Sequence, residues 1–160
     1  MIDAVDPDTQ DYLWTIRETM ARVGKVNRMT WKDVNLNGKF VILYTRKKAG
    51  GHLTPSKVPM TQKLHEVLKR RYNNRDSDKP WVFWHRYWSR KRGRFCEGPY
   101  GDRKLVMRSL FEKAGVKYFR FHAMRHSRAS TMDDSNVPIG AIQRILGHEN
   151  GRQLRFICSV

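Results

Sequence analysis

The chain has 160 residues, of which 32 are Lys or Arg and 15 are Asp or Glu, so its formal charge is +17 and its pI is about 10.4. This length suits one domain with one core and excludes two large domains. No apolar run approaches the roughly 18 residues of a membrane span. The two cysteines exclude a disulfide framework, and an acidic N-terminus without a signal peptide indicates the cytoplasm.

The excess of positive charge predicts a polyanionic partner. Like charges on a compact fold repel one another, and a nucleic acid offsets that cost because each neutralised phosphate releases a counterion. The alternatives are a merely soluble basic surface and an anionic membrane. The membrane is disfavoured because no long basic amphipathic helix is present.

The densest positive charge lies between Arg86 and Arg94, where aromatic residues alternate with or flank the basic ones. Basic side chains neutralise phosphates, while aromatic rings pack on sugars or unstacked bases. The alternative is a solvated loop whose tryptophans belong to the core. The predicted DNA contacts in this segment are Arg86, Arg90, Lys91, Arg92 and Arg94.

Periodicity predicts the first elements. Between Asp8 and Arg22, apolar residues recur at spacings of three and four, which predicts a helix that Gly24 ends or bends. Residues 31–34, 40–44 and 56–59 are typical of strands, and turns at 35–38 and 50–51 join them. These strands predict a small antiparallel three-stranded sheet.

Four further helices are predicted. Thr61 begins a helix that extends to about Tyr72, and 73–80 is a loop. Later helices cover about 100–114 and about 122–135, and Pro138 opens a last one that Gly147 ends. The predicted fold class is therefore α+β and mostly helical, with a single domain over residues 1–160.

The most informative pair is His122 and Arg125. Three residues apart, they share one helical face within the first turn, where backbone N–H groups and the helix dipole favour an anion. A guanidinium and an imidazole there would form a phosphate clamp. The alternative is an ordinary helix start with a buried His and a surface Arg. Further basic or imidazole residues near turns and helix ends are Arg22, Lys47, Lys48 and His148.

Four ordered segments resemble the phage integrase family, the tyrosine recombinases. Residues 19–34 resemble its first arginine box, Thr-Gly-x-Arg-x-Gly-Glu followed by Leu-x-Trp-x-Asp-Val. Residues 45–50 with 58–59 resemble its lysine-bearing β-hairpin, 122–126 its His-x-x-Arg box and 146–148 its Leu-Gly-His box. One departure is Lys25, which replaces the usual Glu of the first box and is expected to leave Arg22 less well oriented.

This resemblance implies breakage and rejoining of double-stranded DNA through a 3′-phosphotyrosine. By that resemblance, Arg22 and Arg125 would hold the non-bridging phosphate oxygens, and Lys48 would protonate the leaving 5′ oxygen. His122 would serve in proton transfer with the nucleophile, and His148 would donate a hydrogen bond to the phosphate. No metal and no other cofactor is expected.

The resemblance also sets expectations beyond these five residues. Lys47 is the alternative general acid and a predicted DNA contact. The expected partners are double-stranded DNA and, on DNA, other recombinase subunits, with the protein on the nucleoid when DNA-bound. The family's separate N-terminal DNA-clamping domain is expected to be absent, since only about 20 residues precede Arg22.

The tail departs from the family pattern. The family's tyrosine lies about nine residues after the Leu-Gly-His histidine, but no tyrosine follows Tyr118, and residues 151–160 are unlike the expected segment. A reading-frame change is one explanation, because codons for 152–160 exist whose shifted frame encodes Thr-Thr-Glu-Ile-Tyr-Leu-Gln-Arg. We expect a chain that cannot cleave DNA unless another subunit donates a tyrosine, and a monomer without DNA.

Two rival functions remain at this point. The first is a basic nucleic-acid-binding module without catalysis, which explains the charge but not the ordered boxes. The second is a metalloenzyme in which His122 and His126, four residues apart, ligate zinc. No Glu beside His122 and no further ligand cluster supports it. A core or capping role is the preferred interpretation of His126.

Overall fold

The computed structural model describes residues 5–46, 53–101, 103–115, 117, 121–140 and 142. Five helices lie in these ranges, α1 to α5: Pro7–Thr19, Val23–Asn27, Gln62–Asn73, Lys104–Lys113 and Phe121–Asp134. Five strands, β1 to β5, are Val34–Asn35, Phe40–Arg46, Leu53–Pro59, Trp84–Ser89 and Arg94–Pro99. The mostly helical α+β class and the small antiparallel three-stranded sheet are thereby confirmed.

The three-stranded sheet has the order β1-β2-β3, and its inner face forms one wall of the core. Val41 pairs with Val58 across β2 and β3, and both are buried together with Leu43. Alternate residues of a strand face opposite sides, so the residues between them face outward. Helices α1 and α3 supply the facing apolar side chains, among them Leu13, Ile16, Leu64 and Leu68.

Helix α1 is shorter than predicted. It begins at an Asp6 N-cap, whose carboxylate accepts a 2.9 Å hydrogen bond from the Thr9 amide, and it ends at Thr19 rather than Arg22. Met20, the C-cap residue, takes a left-handed conformation with φ of 49°, and its buried side chain packs with Ala129 and Ile142. The chain then turns into α2.

The predicted strand over residues 31–34 is wrong over most of its length. Trp31–Asp33 form a short 3₁₀ helix, and only Val34 and Asn35 pair with β2. The Asp33 carboxylate accepts hydrogen bonds from the Thr30 amide at 2.9 Å and from its hydroxyl at 2.7 Å. This local capping box favours a helical turn over an extended backbone in the residues just before the sheet.

The basic segment is predicted to contact DNA or to form a solvated loop, whereas the structure folds it into a second antiparallel sheet. Strands β4 and β5 pair from Trp84 with Pro99 to Ser89 with Arg94. Gly93, at φ of 59°, supplies the left-handed position in the connecting turn. The hairpin was missed because neither face of its outer half is buried, so no apolar alternation marks it.

The remaining helices lie close to their predicted bounds. Thr61 caps α3 as predicted, since its hydroxyl accepts a 3.2 Å hydrogen bond from the Leu64 amide. Helix α4 begins at Lys104 and not near Tyr100, because the Tyr100 amide donates to Phe83 and its ring joins the core. A helical turn follows Pro138, whose carbonyl accepts from the Ile142 amide. None of the described helices is long and apolar enough to cross a membrane.

Candidate functional site

Two arginines from distant parts of the chain lie near each other. Arg22 is the exposed N-cap residue of α2, and Arg125 lies in the first half of α5 with only 5% of its surface accessible. Burial, followed by repulsion from Arg22, lowers the pKa of the Arg125 guanidinium below its ordinary value to about 10. The fold thus holds two positive charges at close range, an arrangement that an anion between them would stabilise.

Helix α2 is fixed by a buried polar residue. The Tyr12 hydroxyl donates to the Asn27 side-chain oxygen at 2.6 Å, and the Asn27 amide group donates to the Gly101 carbonyl at 2.8 Å. These bonds tie α2 to α1 and to the segment before α4. They hold Arg22, at the other end of α2, in a defined place.

Helix α5 is fixed by a buried carboxylate. Glu18 of α1 accepts a hydrogen bond from Thr61 at 2.8 Å and one from the Arg128 guanidinium at 3.3 Å. Arg128 lies three residues after Arg125, on a neighbouring position of the same helix. Met124 meanwhile packs into the main core. Together these contacts set the position of α5 and therefore of Arg125.

A third cation joins the two arginines. The Lys25 ammonium donates a 2.6 Å hydrogen bond to the Thr45 hydroxyl on β2. Burial lowers the pKa of Lys25, and the charges of Arg125, Arg22 and Arg28 lower it further. In the sequence, Lys25 stands out only as a departure from the family motif. The missed signal was the charge itself, at a position one turn after Arg22.

The β4–β5 hairpin forms a separate basic and aromatic surface. The exposed rings of Trp88 and Phe95 meet edge to face across the strands, with centroids 5.2 Å apart. The Arg86 guanidinium lies 4.7 Å from the centre of the Phe95 ring. The other predicted DNA contacts are exposed in the turn or beside it, namely Arg90, Lys91, Arg92 and Arg94.

The profile of the phage integrase family matches residues 8–156, nearly the whole chain. The chain belongs to this family. Its members include curated relatives of this chain: the integrase of Salmonella phage P22 is 24% identical over 141 residues, which are 86% of this chain and 35% of that protein. Tyrosine recombinase XerA of Pyrococcus furiosus is 32% identical over 133 residues, which are 81% of this chain and 42% of XerA.

A solved integrase structure has the same fold. The Tn1549 transposon integrase, in complex with circular intermediate DNA, superposes with a TM-score of 0.73 at 20% identity, covering 96% of this chain and 54% of that one. The present chain spans less than half the length of the P22 integrase and of XerA. What it shares with the family is therefore the catalytic-domain fold.

The structure describes the side chains of only two of the five residues assigned by resemblance to the integrase boxes. Arg22 and Arg125 come together as described. The backbone of His122 lies in the first turn of α5, but its side chain is outside the described part of the structure, as are Lys48 and His148. Lys47 also lies outside the described residues.

The metalloenzyme alternative depends on the side chain of His122, which lies outside the described part of the structure. No group of three or more His, Cys, Asp or Glu side chains that could hold a metal ion occurs within the described ranges.

Proposed function

We propose that this chain is the DNA-binding catalytic domain of a site-specific tyrosine recombinase, which breaks and rejoins double-stranded DNA. The observation that carries the proposal is the approach of Arg22 to the buried Arg125 within the family's fold. The Tn1549 integrase, which shares this fold, was solved with DNA and supports DNA as the partner.

The two arginines would act on the phosphate that is cut. Each guanidinium would bind non-bridging oxygens and stabilise the extra negative charge of the pentavalent transition state. In other enzymes, removing one such preorganised donor costs about 3–4 kcal/mol of transition-state stabilisation. Because Arg125 is buried and α5 is anchored through Glu18, little reorganisation is needed when the phosphate arrives.

The proton-transfer roles follow from the matching boxes. Lys48, or Lys47 beside it, would protonate the leaving 5′ oxygen. His122 would take the proton of the attacking hydroxyl, a task suited to a group that titrates near neutrality. His148 would donate a hydrogen bond to the phosphate.

This chain supplies no tyrosine where the family's nucleophile is expected. Phe156 and Ile157 follow His148 by eight and nine residues, and no tyrosine occurs after Tyr118. We therefore propose that the chain binds DNA but forms no phosphotyrosine by itself. A second subunit that donates a tyrosine would restore cleavage.

The hairpin provides a second contact with DNA. Its turn carries Arg90, Lys91 and Arg92 in exposed positions, and the exposed rings of Trp88 and Phe95 lie beside them. Cations bind the phosphates of any sequence, and aromatic rings pack on sugars or bases. The hairpin would thus add affinity outside the arginine pair.

A non-catalytic basic DNA-binding module is the second candidate, because the charge of +17 and the missing tyrosine favour it. The two candidates differ in what Arg22 does. In a recombinase site the Arg22 guanidinium is needed for a chemical step, whereas in a plain basic module it is one surface charge among many.

A binding measurement tests the first part of the proposal. Arg22→Gln should weaken binding to duplex DNA by about tenfold, the value of one charge-assisted hydrogen bond. Lys69→Gln removes the same charge from an exposed site on α3 and should change affinity much less. Arg125→Gln should match Arg22→Gln if it folds. Equal effects of Arg22→Gln and Lys69→Gln in fluorescence anisotropy would contradict a phosphate site at Arg22.

A covalent trap tests the second part. The chain is incubated with a pool of nicked random-sequence duplexes and then denatured in detergent. We expect no protein–DNA adduct, and any adduct would refute the missing nucleophile. A version with residues 153–160 replaced by Thr-Thr-Glu-Ile-Tyr-Leu-Gln-Arg places a tyrosine nine residues after His148 and should form one, and the same version with Phe for Tyr should not. If the restored chain traps nothing, the non-catalytic module is favoured.

A further inference from the structure

We propose that Lys25 is a further phosphate-binding residue, whose ammonium group joins the guanidinium groups of Arg22 and Arg125 on one phosphate. This inference rests on the proposed function, since the phosphate would be that of the bound DNA. It assigns a chemical role to a residue that the resemblance marked only as a departure from the usual Glu.

The backbone and one hydrogen bond place the ammonium group. The Lys25 amide donates to the Arg22 carbonyl at 2.8 Å, so the two residues bound a single turn. The Lys25 side chain then reaches Thr45 on β2 at 2.6 Å. This bond holds the half-buried ammonium group between α2 and β2 and restricts its rotamers before any ligand binds.

Among the described residues, the charges that act on the pKa of Lys25 are all positive. Burial first, and then Arg125, Arg22 and Arg28, lower its pKa, and no carboxylate contributes to that shift. Lys25 is half-buried, Arg125 is buried, and the exposed Arg22 repels both, which disfavours the unliganded site. A phosphate among Arg22, Lys25 and Arg125 would turn this repulsion into attraction, because each cation would then face an anion.

The hydrogen-bonding capacity of Lys25 fits the same ligand. An ammonium group has three N–H donors. Within the ranges that the structure describes, Thr45 is the acceptor bonded to it. The remaining donors are suited to phosphate oxygens, which accept several hydrogen bonds at once. If Lys25 served only to connect β2 to α2, the neighbouring arginines would weaken that contact by repelling its charge.

Sulfate binding tests the inference without DNA. Sulfate mimics a phosphate, and its charge does not change from neutral pH up to 10.5, the ordinary lysine pKa. In isothermal titration calorimetry at constant ionic strength, Lys25→Met should weaken sulfate binding by about tenfold. Lys25→Arg should retain most of the affinity. Lys32→Met, which removes the same charge from an exposed lysine, should change it little.

A pH series separates binding from a structural role. The affinity of the unaltered chain for sulfate should begin to fall at a lower pH than that of Lys25→Arg, because Lys25 loses its proton below its ordinary pKa of 10.5 and the guanidinium that replaces it does not. Loss of the Arg125 proton, whose pKa is lowered to about 10, weakens both chains alike. Arg22, Arg28 and Arg125 are the same in both chains, so the difference belongs to Lys25. Parallel pH profiles, or equal effects of Lys25→Met and Lys32→Met, would overturn the inference.

These results remain distinct from those of the DNA experiments. If the chain binds duplex DNA through Arg22 but Lys25→Met leaves sulfate affinity unchanged, the inference fails and the proposed function stands. The opposite result is also possible. If sulfate binding needs Lys25 and Arg22, but Arg22→Gln weakens DNA binding no more than Lys69→Gln does, the anion site stands and the proposed function fails.

Discussion

Two of the antiparallel hairpins in the described part of the chain have opposite surroundings. The β2–β3 hairpin buries Val41, Leu43 and Val58 against the helices, and each strand alternates between inner and outer residues. The outer half of the β4–β5 hairpin exposes both faces, with Trp88 54% and Phe95 58% accessible. One hairpin is held by the core, whereas the other is held by its own backbone pairing and by contacts at its base.

This difference separates stability from binding. Burial of apolar surface stabilises β2–β3 and, through it, the Thr45 position that holds Lys25. The β4–β5 hairpin gains little from burial, yet it keeps large aromatic and basic side chains in water. Exposed aromatic side chains beside cations are typical of a surface that a partner covers. Substitutions in the two hairpins should therefore change different measurements.

The largest expected effect is on the stability of the inner hairpin. Leu43→Ala removes a side chain that is 3% accessible, and should lower the free energy of unfolding by about 2–5 kcal/mol through reduced burial and a residual cavity. Leu53→Ala makes the same change at an exposed position of β3 and should cost no more than about 0.5 kcal/mol. Urea denaturation measures both, and similar losses would show that β2–β3 is not held by its inner face.

A smaller effect is expected on DNA binding by the outer hairpin. The triple variant Arg90→Gln, Lys91→Gln, Arg92→Gln should lower duplex affinity. It should also reduce the slope of log affinity against log salt by about 0.9 for each DNA phosphate that the hairpin no longer neutralises. Its free energy of unfolding should stay within about 0.5 kcal/mol of the original.

The matched control removes three charges elsewhere. Lys69, Lys113 and Lys117 are also exposed, and their triple replacement by Gln should leave the salt slope nearly unchanged. If both triple variants reduce the slope equally, the hairpin is no more than part of a uniformly basic surface.

The two hairpins also show how far the sequence predicts the structure. Helix α3 and strands β2 and β3 were predicted because their apolar residues recur with the period of the element and Thr61 marks a helix start. The outer hairpin was missed because periodicity reports burial, and its outer half has no buried face. The 3₁₀ helix was missed because a capping box outweighed strand propensity at Trp31.

The candidate site, too, can be predicted from the sequence only in part. The positions of Arg22 and Arg125 in their boxes could be named from local motifs. Their approach, and the bond from Lys25 to Thr45, depend on segments that are far apart in sequence. The Asn27 contact that fixes α2 spans 74 positions. No local pattern encodes such a contact, so the role of Lys25 emerged only from the fold.

The smallest expected effect is on a histidine at the base of the outer hairpin. His85 lies between the rings of Tyr87 and Tyr100, at centroid distances of 5.2 Å and 5.6 Å. Burial, and then the charge of Arg103, lower its pKa below 6.5. The unfolded chain therefore binds this proton more readily, so the contribution of His85 to stability is present above pH 6.5 and is lost as the pH falls through the folded pKa.

Nuclear magnetic resonance titration of the His85 ring measures this shift directly. Arg103→Gln should raise the His85 pKa part of the way to 6.5, because it removes the charge but leaves the burial. Arg90→Gln, at the far end of the hairpin, should leave it unchanged. A His85 pKa at or above 6.5 in the unaltered chain would show that the neighbouring rings of Tyr87 and Tyr100 do not shield this exposed histidine from water. The contrast between a base held by ring contacts and an exposed tip would then fail.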